Sequence, residues 1–538
     1  MCTRDRASVV AGLLLGFSAA RLLAISRAGP AEPAPVQQYV ESHRHSRIRK
    51  HHRIKQTRHR KQFKREPFRE ERVPIGLAHY RIPTDLWARH RGILGPAFDW
   101  VRNNVPGFEC SDHDLNLAYA YRWKVFHLHL KKTQDGFVLT EFLKHVNWEG
   151  QHGTINCAYG HHAADARWVQ DPAVLDNYSA FWFQNPKADL RYTWWPAHAA
   201  VERFRLDGRA GPLNRLLPSL RSEYWRWVNR SSVVDRGHNE CLWQAAHDDG
   251  EENSVGFDGC RPTINAAMYG EAKALAFIYA LQADPSAARA FEVEASRWQR
   301  ALSRLWSNRL RFYVTRTLPP PHARLDDVRR RRTKLGCQYC PRSRPTRNVQ
   351  HGTMATCPPQ WDEGELVTVR ELAGLSWPWY HRAAKAEHAI AWRQIIDASG
   401  FAAPWGLTTA ERRHPCFNFS TWCPTSWHGP IWPFETSKLG TALMHALQDP
   451  IHRIALWEHA GVGKRDFLHT LTTYARMMTR GRAQGVTAGD PFVGESFHPD
   501  DGYWLTRELL HQRRAGDRDR GDHCASANFD SSPPSMFY

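Results

Sequence analysis

Past its first 25 residues the chain has no stretch approaching 18 uninterrupted apolar residues, so nothing in its body reads as a membrane-spanning helix. Strand-like alternation is scarce, which argues against a sheet fold. Cys337-x-x-Cys340 has no second copy; with His351 and Cys357 it offers zinc-ligand types, but its basic, proline-rich setting argues against a zinc site. No metal or organic cofactor is expected. Aromatic residues are nearly missing from the basic stretch 41–72, which holds only Phe63 and Phe68, and this removes the platform on which unpaired bases stack.

What is present is a 538-residue chain, 42% hydrophobic and 24% charged, with a formal net charge of +19. That excludes both a disordered chain and a staple-dependent mini-domain. The charge is concentrated: residues 41–72 carry +9 and residues 323–350 carry +7, leaving a nearly neutral body. A basic nucleic-acid domain is therefore a weaker reading than a neutral globule with two basic appendages, and no nucleic-acid partner is expected. A basic start followed by the apolar run Ala7–Ala20 reads as a signal peptide or signal anchor over residues 1–28, which implies the secretory pathway and a membrane anchor as the alternative to cleavage. A basic stalk follows at 29–75, then the globular domain at 76–512 with a proline-rich basic insert at 318–360, then a polar tail at 513–538. In an oxidising compartment Cys416 and Cys423, seven apart in one loop, could pair. The sequons at Asn177, Asn229 and Asn418 support secretion only weakly.

Within the body, apolar residues recur at helical spacing: Leu216, Leu220, Tyr224 and Trp227; Ile264, Met268, Leu275, Ile278 and Leu281; Phe434, Leu439, Leu443 and Leu447; Phe467, Leu471, Tyr474 and Met478. Long loops rich in Trp, His, Gly and Pro separate them. Helices that form a scaffold beneath aromatic loops suggest an all-α barrel or toroid. The chain has 23 tryptophans, many beside Gly, Pro or His, such as Trp168, Trp377, Trp427 and Trp432. A flat indole can lie against the C–H face of a sugar, although any single tryptophan more often plugs a core. Two acidic loops stand out, Asp248-Asp249-Gly250-Glu251-Glu252 and Glu495 through Asp501. Such loops are usually caps or solvated turns. Opposed carboxyls from distant segments are nonetheless what glycosidic hydrolysis needs, one protonated to release the leaving oxygen and one ionised.

The string Ser426-Trp427-His428-Gly429-Pro430-Ile431-Trp432-Pro433, the later Gly494-Glu495-Ser496-Phe497-His498-Pro499, and the segment Gly250-Glu251-Glu252-Asn253-Ser254 resemble the catalytic domain of glycoside hydrolase family 63 and its mannosylglycerate-hydrolase-like branch. Tyr121-Arg122-Trp123 with Phe126, and Gly160-His161-His162 with Arg167-Trp168, are also similar, so the resemblance runs over roughly 78–510. It implies an (α/α)6 toroid, a six-hairpin glycosidase, and hydrolysis of an α-linked glucoside or mannoside with inversion. Carried over by motif, Glu252 is the general acid and Glu495 the general base. Trp427 and Trp432 line the sugar subsite on a loop fixed by Gly429 and Pro430. Trp123 and Phe126 form another wall, with His161, His162, Arg167 and Trp168 as further substrate-binding residues. Asp248, Asp249 and Glu251 are close enough in sequence to raise the acid's pKa. The chain departs from the family pattern at Glu252, where Asp is common, at Lys124 and Ser426, and in an end that runs into Ser-Ser-Pro-Pro-Ser-Met-Phe-Tyr, so the last helix is expected to be missing or replaced. The competing expectations are a carbohydrate-binding relative that has lost turnover, and a basic protein that binds nucleic acid with steep salt dependence.

Overall fold

The computed structural model describes residues 84–143, 145, 149–186, 188–235, 237, 239–251, 254–321, 364–415, 417–418, 427–483 and 485–505. Outside these residues lie the leader, the stalk and the tail, the zinc-type residues Cys337, Cys340, His351 and Cys357, the Cys416–Cys423 pair, and Glu252.

The expected all-α architecture is the one found. Ten helices carry it: α1 (His113–His129), α2 (Tyr159–Ala166), α3 (Ala173–Gln184), α4 (Pro196–Asp207), α5 (Ala210–Ser231), α6 (Pro262–Leu281), α7 (Pro285–Ser303), α8 (Ala373–Tyr380), α9 (Pro433–Gln448) and α10 (Lys464–Arg480). Shorter helical turns precede α1 and follow α9. The four segments with apolar residues at helical spacing fall in α5, α6, α9 and α10. Helix starts follow simple rules. Proline opens α4, α6, α7 and α9, where its missing N–H has no intrahelical role. Asp112 and Asp284 accept a backbone N–H from the first turns of α1 and α7, and Gly208 ends α4 in the left-handed region.

The helices close a ring. Helix α2 packs on α4, α4 on α6, α6 on α8, α8 on α9, α9 on α10, and α10 on α1. An Arg122–Asp165 pair at 3.8 Å spans the remaining gap from α1 to α2. Burial separates inner from outer helices. All eight residues of α8 are buried, whereas α7 buries only Phe291, Ala295, Trp298, Ala301 and Leu302 on one stripe. A helix apolar all round belongs inside, and a striped one covers it. Close approach fixes two contacts: a Cβ on Gly160 of α2 would lie 2.0 Å from Trp195, and one on Gly270 of α6 would lie 2.4 Å from His381.

Sheet content is small. Strands β1 (Leu130–Thr133) and β2 (Gly136–Leu139) form a hairpin, and β3 (Ser232–Val234), β4 (Glu240–Gln244) and β5 (Gly259–Cys260) form an antiparallel sheet in the order β3-β4-β5. A disulfide joins Cys241 of β4 to Cys260 of β5. No described helix is long and apolar enough to cross a membrane.

Candidate active site

Four inner helices begin near one another at one mouth of the ring, and the acid-rich loop 245–258 touches the start of each. Asp249 accepts from Thr193, three residues before α4, and from Thr263 in the first turn of α6. Glu371, two residues before α8, accepts from the Gly256 N–H at 2.7 Å. Gly250 lies under the edge of Trp432, the residue before α9, where a Cβ would sit 3.4 Å from the indole. Helix N-termini carry partial positive charge, so this mouth favours carboxylates.

Arg261, immediately before Pro262, is the cation of the loop. Its Nε donates to Asp249 at 2.5 Å, one terminal nitrogen donates to Glu251, the other donates to the Phe257 carbonyl at 2.5 Å, and Glu371 lies at 3.6 Å. The guanidinium is 1% exposed. Phe257 holds a left-handed φ of 58°, a conformation that costs a non-glycine residue energy and is kept here by that carbonyl bond. One guanidinium cannot neutralise three buried carboxyls. Burial pushes Glu251 well above the carboxylate range against the pull of Arg261, and Glu371, Glu435 and Asp249 add to it; burial also raises Asp249.

The second loop, 427–432, follows the same mouth. Gly429 donates to Thr409 Oγ1 at 3.2 Å, and a Cβ there would collide with the Asn418 carbonyl at 2.1 Å. The Pro430 carbonyl accepts from the Thr409 N–H at 3.1 Å. Ile431 exchanges two backbone bonds of 3.0 Å with Phe497, tying this loop to the one that carries Glu495. Glu495 is half-buried there, between Gly494, which packs on Trp504, and Ser496, whose carbonyl accepts from Leu505. The acid loop, the Trp loop and the Glu495 loop thus meet in succession around one mouth.

Below this mouth sits a second buried charge pair that was not anticipated. Glu435, in the first turn of α9, accepts from Ser376 Oγ at 2.5 Å, Trp377 Nε1 at 3.0 Å and Lys438 Nζ at 2.9 Å. The Lys438 ammonium lies 3.5 Å from the Trp377 ring centre and 4.2 Å from that of Phe434. Burial lowers its pKa against Glu435.

The aromatic residues are arranged differently from expectation. Trp427, Trp432 and Phe434 stack in series, with centroids 4.1 Å and 4.5 Å apart, so both faces of Trp432 are covered and only its edge reaches the acid loop. Trp123 and Phe126, the residues expected to form another wall, are buried on α1. They pack into an aromatic cluster with Tyr119 and Trp100, whose neighbours are the N-terminal residues Trp87 and Phe108. Apolar packing on the short N-terminal helices claims these rings. His161 lies 4.3 Å from Phe434, under the Trp stack. His162 turns outward to the Tyr178 hydroxyl at 2.9 Å. Arg167 lies 3.7 Å from Glu202 in the ring interior, with Trp168 beside it. Sequence reasoning missed Arg261, Glu371, Glu435 and Lys438. For Arg261 the available signal was an arginine placed between an acidic loop and a helix-opening proline.

Residues 151–513 match the family described as mannosylglycerate hydrolase MGH1-like glycoside hydrolase domain. No curated protein sequence matches the chain. A solved structure titled "Sialidase" superposes with a TM-score of 0.63 at 26% identity over 82% of this chain, which spans only 38% of that one. A GH63 mannosylglycerate hydrolase from Thermus thermophilus in complex with glucose aligns over 65% of this chain and 86% of its own, at 14% identity and a TM-score of 0.41.

Proposed function

The chain belongs to the MGH1-like glycoside hydrolase family and is a glycosidase of that family, and from this premise we propose that it hydrolyses an α-linked glucoside or mannoside with inversion at the anomeric carbon. Glu252 is the general acid and Glu495 the general base. The meeting of three loops at one mouth carries this reading: Gly250, two residues before Glu252, lies under Trp432, and Ile431 is bonded to Phe497, two residues after Glu495. In such a site the acid must stay protonated until the leaving oxygen takes its proton, and the base must hold a water on the opposite face of the ring. Burial raises the carboxyls of Glu251 and Asp249 in the same loop, the direction the first requirement needs. Trp432 presents its edge to the acid loop and Trp427 stacks on it, so these aromatic residues exclude water from the base of the mouth.

The test is substitution in a responsive assay against α-glucosides, α-mannosides and glycosylglycerates. Glu495→Gln and Glu252→Gln should each lose at least about 10²-fold in kcat, the usual contribution of a positioned acid or base. Full activity in either variant would remove that residue from its role. We also propose the secretory pathway as the compartment, where the Cys241–Cys260 bond would form and persist.

A further inference from the structure

We propose that the end of the ring opposite the mouth is a docking face for a phospholipid surface carrying negative charge, with Ile451, Ile454 and Trp457 entering the lipid. The hydrolysis proposed above makes no use of this face.

Among the described residues ten large apolar side chains are exposed, and five of them gather in one place: Ile396 (47%), Ile451 (70%), Ile454 (55%), Trp457 (69%) and Leu468 (50%). Single exposed apolar residues are ordinary, but a contiguous set marks a contact with something other than water. Its centre is the pair of helical turns Pro450–Ala455 and Leu456–Ala460, which link α9 to α10. One side of these turns packs into the fold: Ala455, Leu456 and Ala460 are buried, as is Val462 after them. The other side should be polar on a surface helix, yet it carries Ile451, Ile454 and Trp457 at i, i+3 and i+6. The Trp457 ring lies over Gly463, where a Cβ would meet it at 3.8 Å, and Leu468 follows in the second turn of α10. Ile396 borders the ridge across a hollow that it lines together with Asp466 and His469.

Charge selects the occupant. Arg453, Lys464 and Arg465 are exposed on the same segment and have no carboxylate partner among the described residues. Nearby acids are committed to the backbone: Asp449 accepts the N–H groups of Ile451 and His452, and Asp466 accepts that of Gly463. Glu458 is the one exposed acid between residues 450 and 468. Basic side chains beside protruding Ile and Trp match lipid phosphates above an acyl boundary. An acidic protein would match the charge too, but its contact would need anchors seated in pockets, whereas Ile451, Ile454 and Trp457 project with more than half their surface uncovered. The position is also suitable. Helix α9 starts beside Trp432 at the mouth and runs for 16 residues, so the turns after it lie about 24 Å away. A membrane bound there leaves the mouth open to solvent.

The experiment uses the full chain, which also carries the basic stretch 41–72, so binding must be read where it occurs. Hydrogen exchange of residues 450–468 is followed without lipid, with phosphatidylcholine vesicles, and with vesicles of equal parts phosphatidylcholine and phosphatidylglycerol, alongside co-sedimentation. Exchange in this segment should slow on the mixed vesicles and change little on phosphatidylcholine alone. Ile454→Ser/Trp457→Ser should lower the partition coefficient on mixed vesicles at least about tenfold and remove the protection. Arg453→Gln/Lys464→Gln/Arg465→Gln should weaken it by about fivefold per charge. All five side chains are exposed, so circular dichroism and thermal unfolding should match wild type; if a variant does not fold, the wild-type exchange pattern decides. Co-sedimentation with unchanged exchange at 450–468 would overturn the proposal, and so would no sedimentation. Equal protection on both vesicles would contradict the role given to charge. Slow exchange without lipid would place a second copy on the face if it depends on protein concentration, or another segment of the chain if it does not, and either contradicts the lipid assignment. Protection by poly-glutamate and not by vesicles would reassign the face to an acidic protein.

Discussion

Lys438 is the residue whose chemistry is least visible in the sequence and most constrained in the fold. Its side chain is fully enclosed, paired with Glu435 and set against Trp377 and Phe434. Breaking a buried pair by removing one partner leaves the other charge uncompensated, at a cost of about 3–5 kcal/mol. Lys438→Met should therefore lower unfolding stability by about that amount, and adding Glu435→Gln should restore a large part of it. Urea denaturation checks both; equal stability in the single and double variants would show that the pair is not coupled. His198 gives a pH-dependent counterpart. Burial lowers its pKa to about 4, and its Nδ1 faces that of His381 at 2.9 Å. The folded pKa lies below the unfolded one, so the unfolded chain takes up the proton first. Its contribution is complete above about pH 6.5 and is lost as pH falls through 4, on the order of 3 kcal/mol at the limit. His198→Gln should flatten the fall in denaturation midpoint between pH 6.5 and 4, and an unchanged slope would exclude His198 as a source.

At this scale the sequence was a partial guide. The acidic string Asp248–Glu252 and Glu495 were visible as clusters because carboxyls stand out against aromatic loops. Trp123 and Phe126, expected as a sugar wall, pack against Tyr119 and each other, since a ring that can stack on a sugar can equally pack on another ring. The pairing of Arg261 with three carboxyls could not be read from one chain, because it joins residues whose proximity only the closed ring creates.

Among elements, the helices were the most legible part. Apolar spacing near 3.6 marked α5, α6, α9 and α10 because each must turn a continuous face to its neighbours. Helix α8 escaped notice for the opposite reason: all its residues are buried, so it has no periodic contrast to detect. The acid loop is an element in its own right, and it is closed at its base by Cys241–Cys260, a pair that sequence spacing did not suggest. The enclosed segment has a sequence separation of 19, for which the chain-entropy account gives about 3 kcal/mol of stabilisation. The Cys241→Ala/Cys260→Ala variant should lose stability of that order, as should the reduced wild-type protein, in matched urea titrations. A reduced protein as stable as the oxidised one would show that the hydrogen bonds of Arg261 and Asn265 hold the loop base without the disulfide.

Over the whole molecule, charge and architecture separate. Sixteen of the nineteen net positive charges lie in residues 41–72 and 323–350, so the described ring is close to neutral and its mouth is acidic. The order in which helices pack is a property of closure and was available from the sequence only through family resemblance. Closure is what carries the catalytic account, since it brings α4, α6, α8 and α9 to one mouth, where Gly250 meets Trp432 and Ile431 is bonded to Phe497. Inversion requires a water between base and sugar, and hence carboxyl groups about 6.5–9.5 Å apart, whereas retention requires about 5 Å and a covalent intermediate. The most direct measurement is proton NMR of the sugar at the start of hydrolysis of a responsive α-glucoside or α-mannoside. The account predicts that the β-anomer appears first and then mutarotates; an initial α-anomer would contradict it.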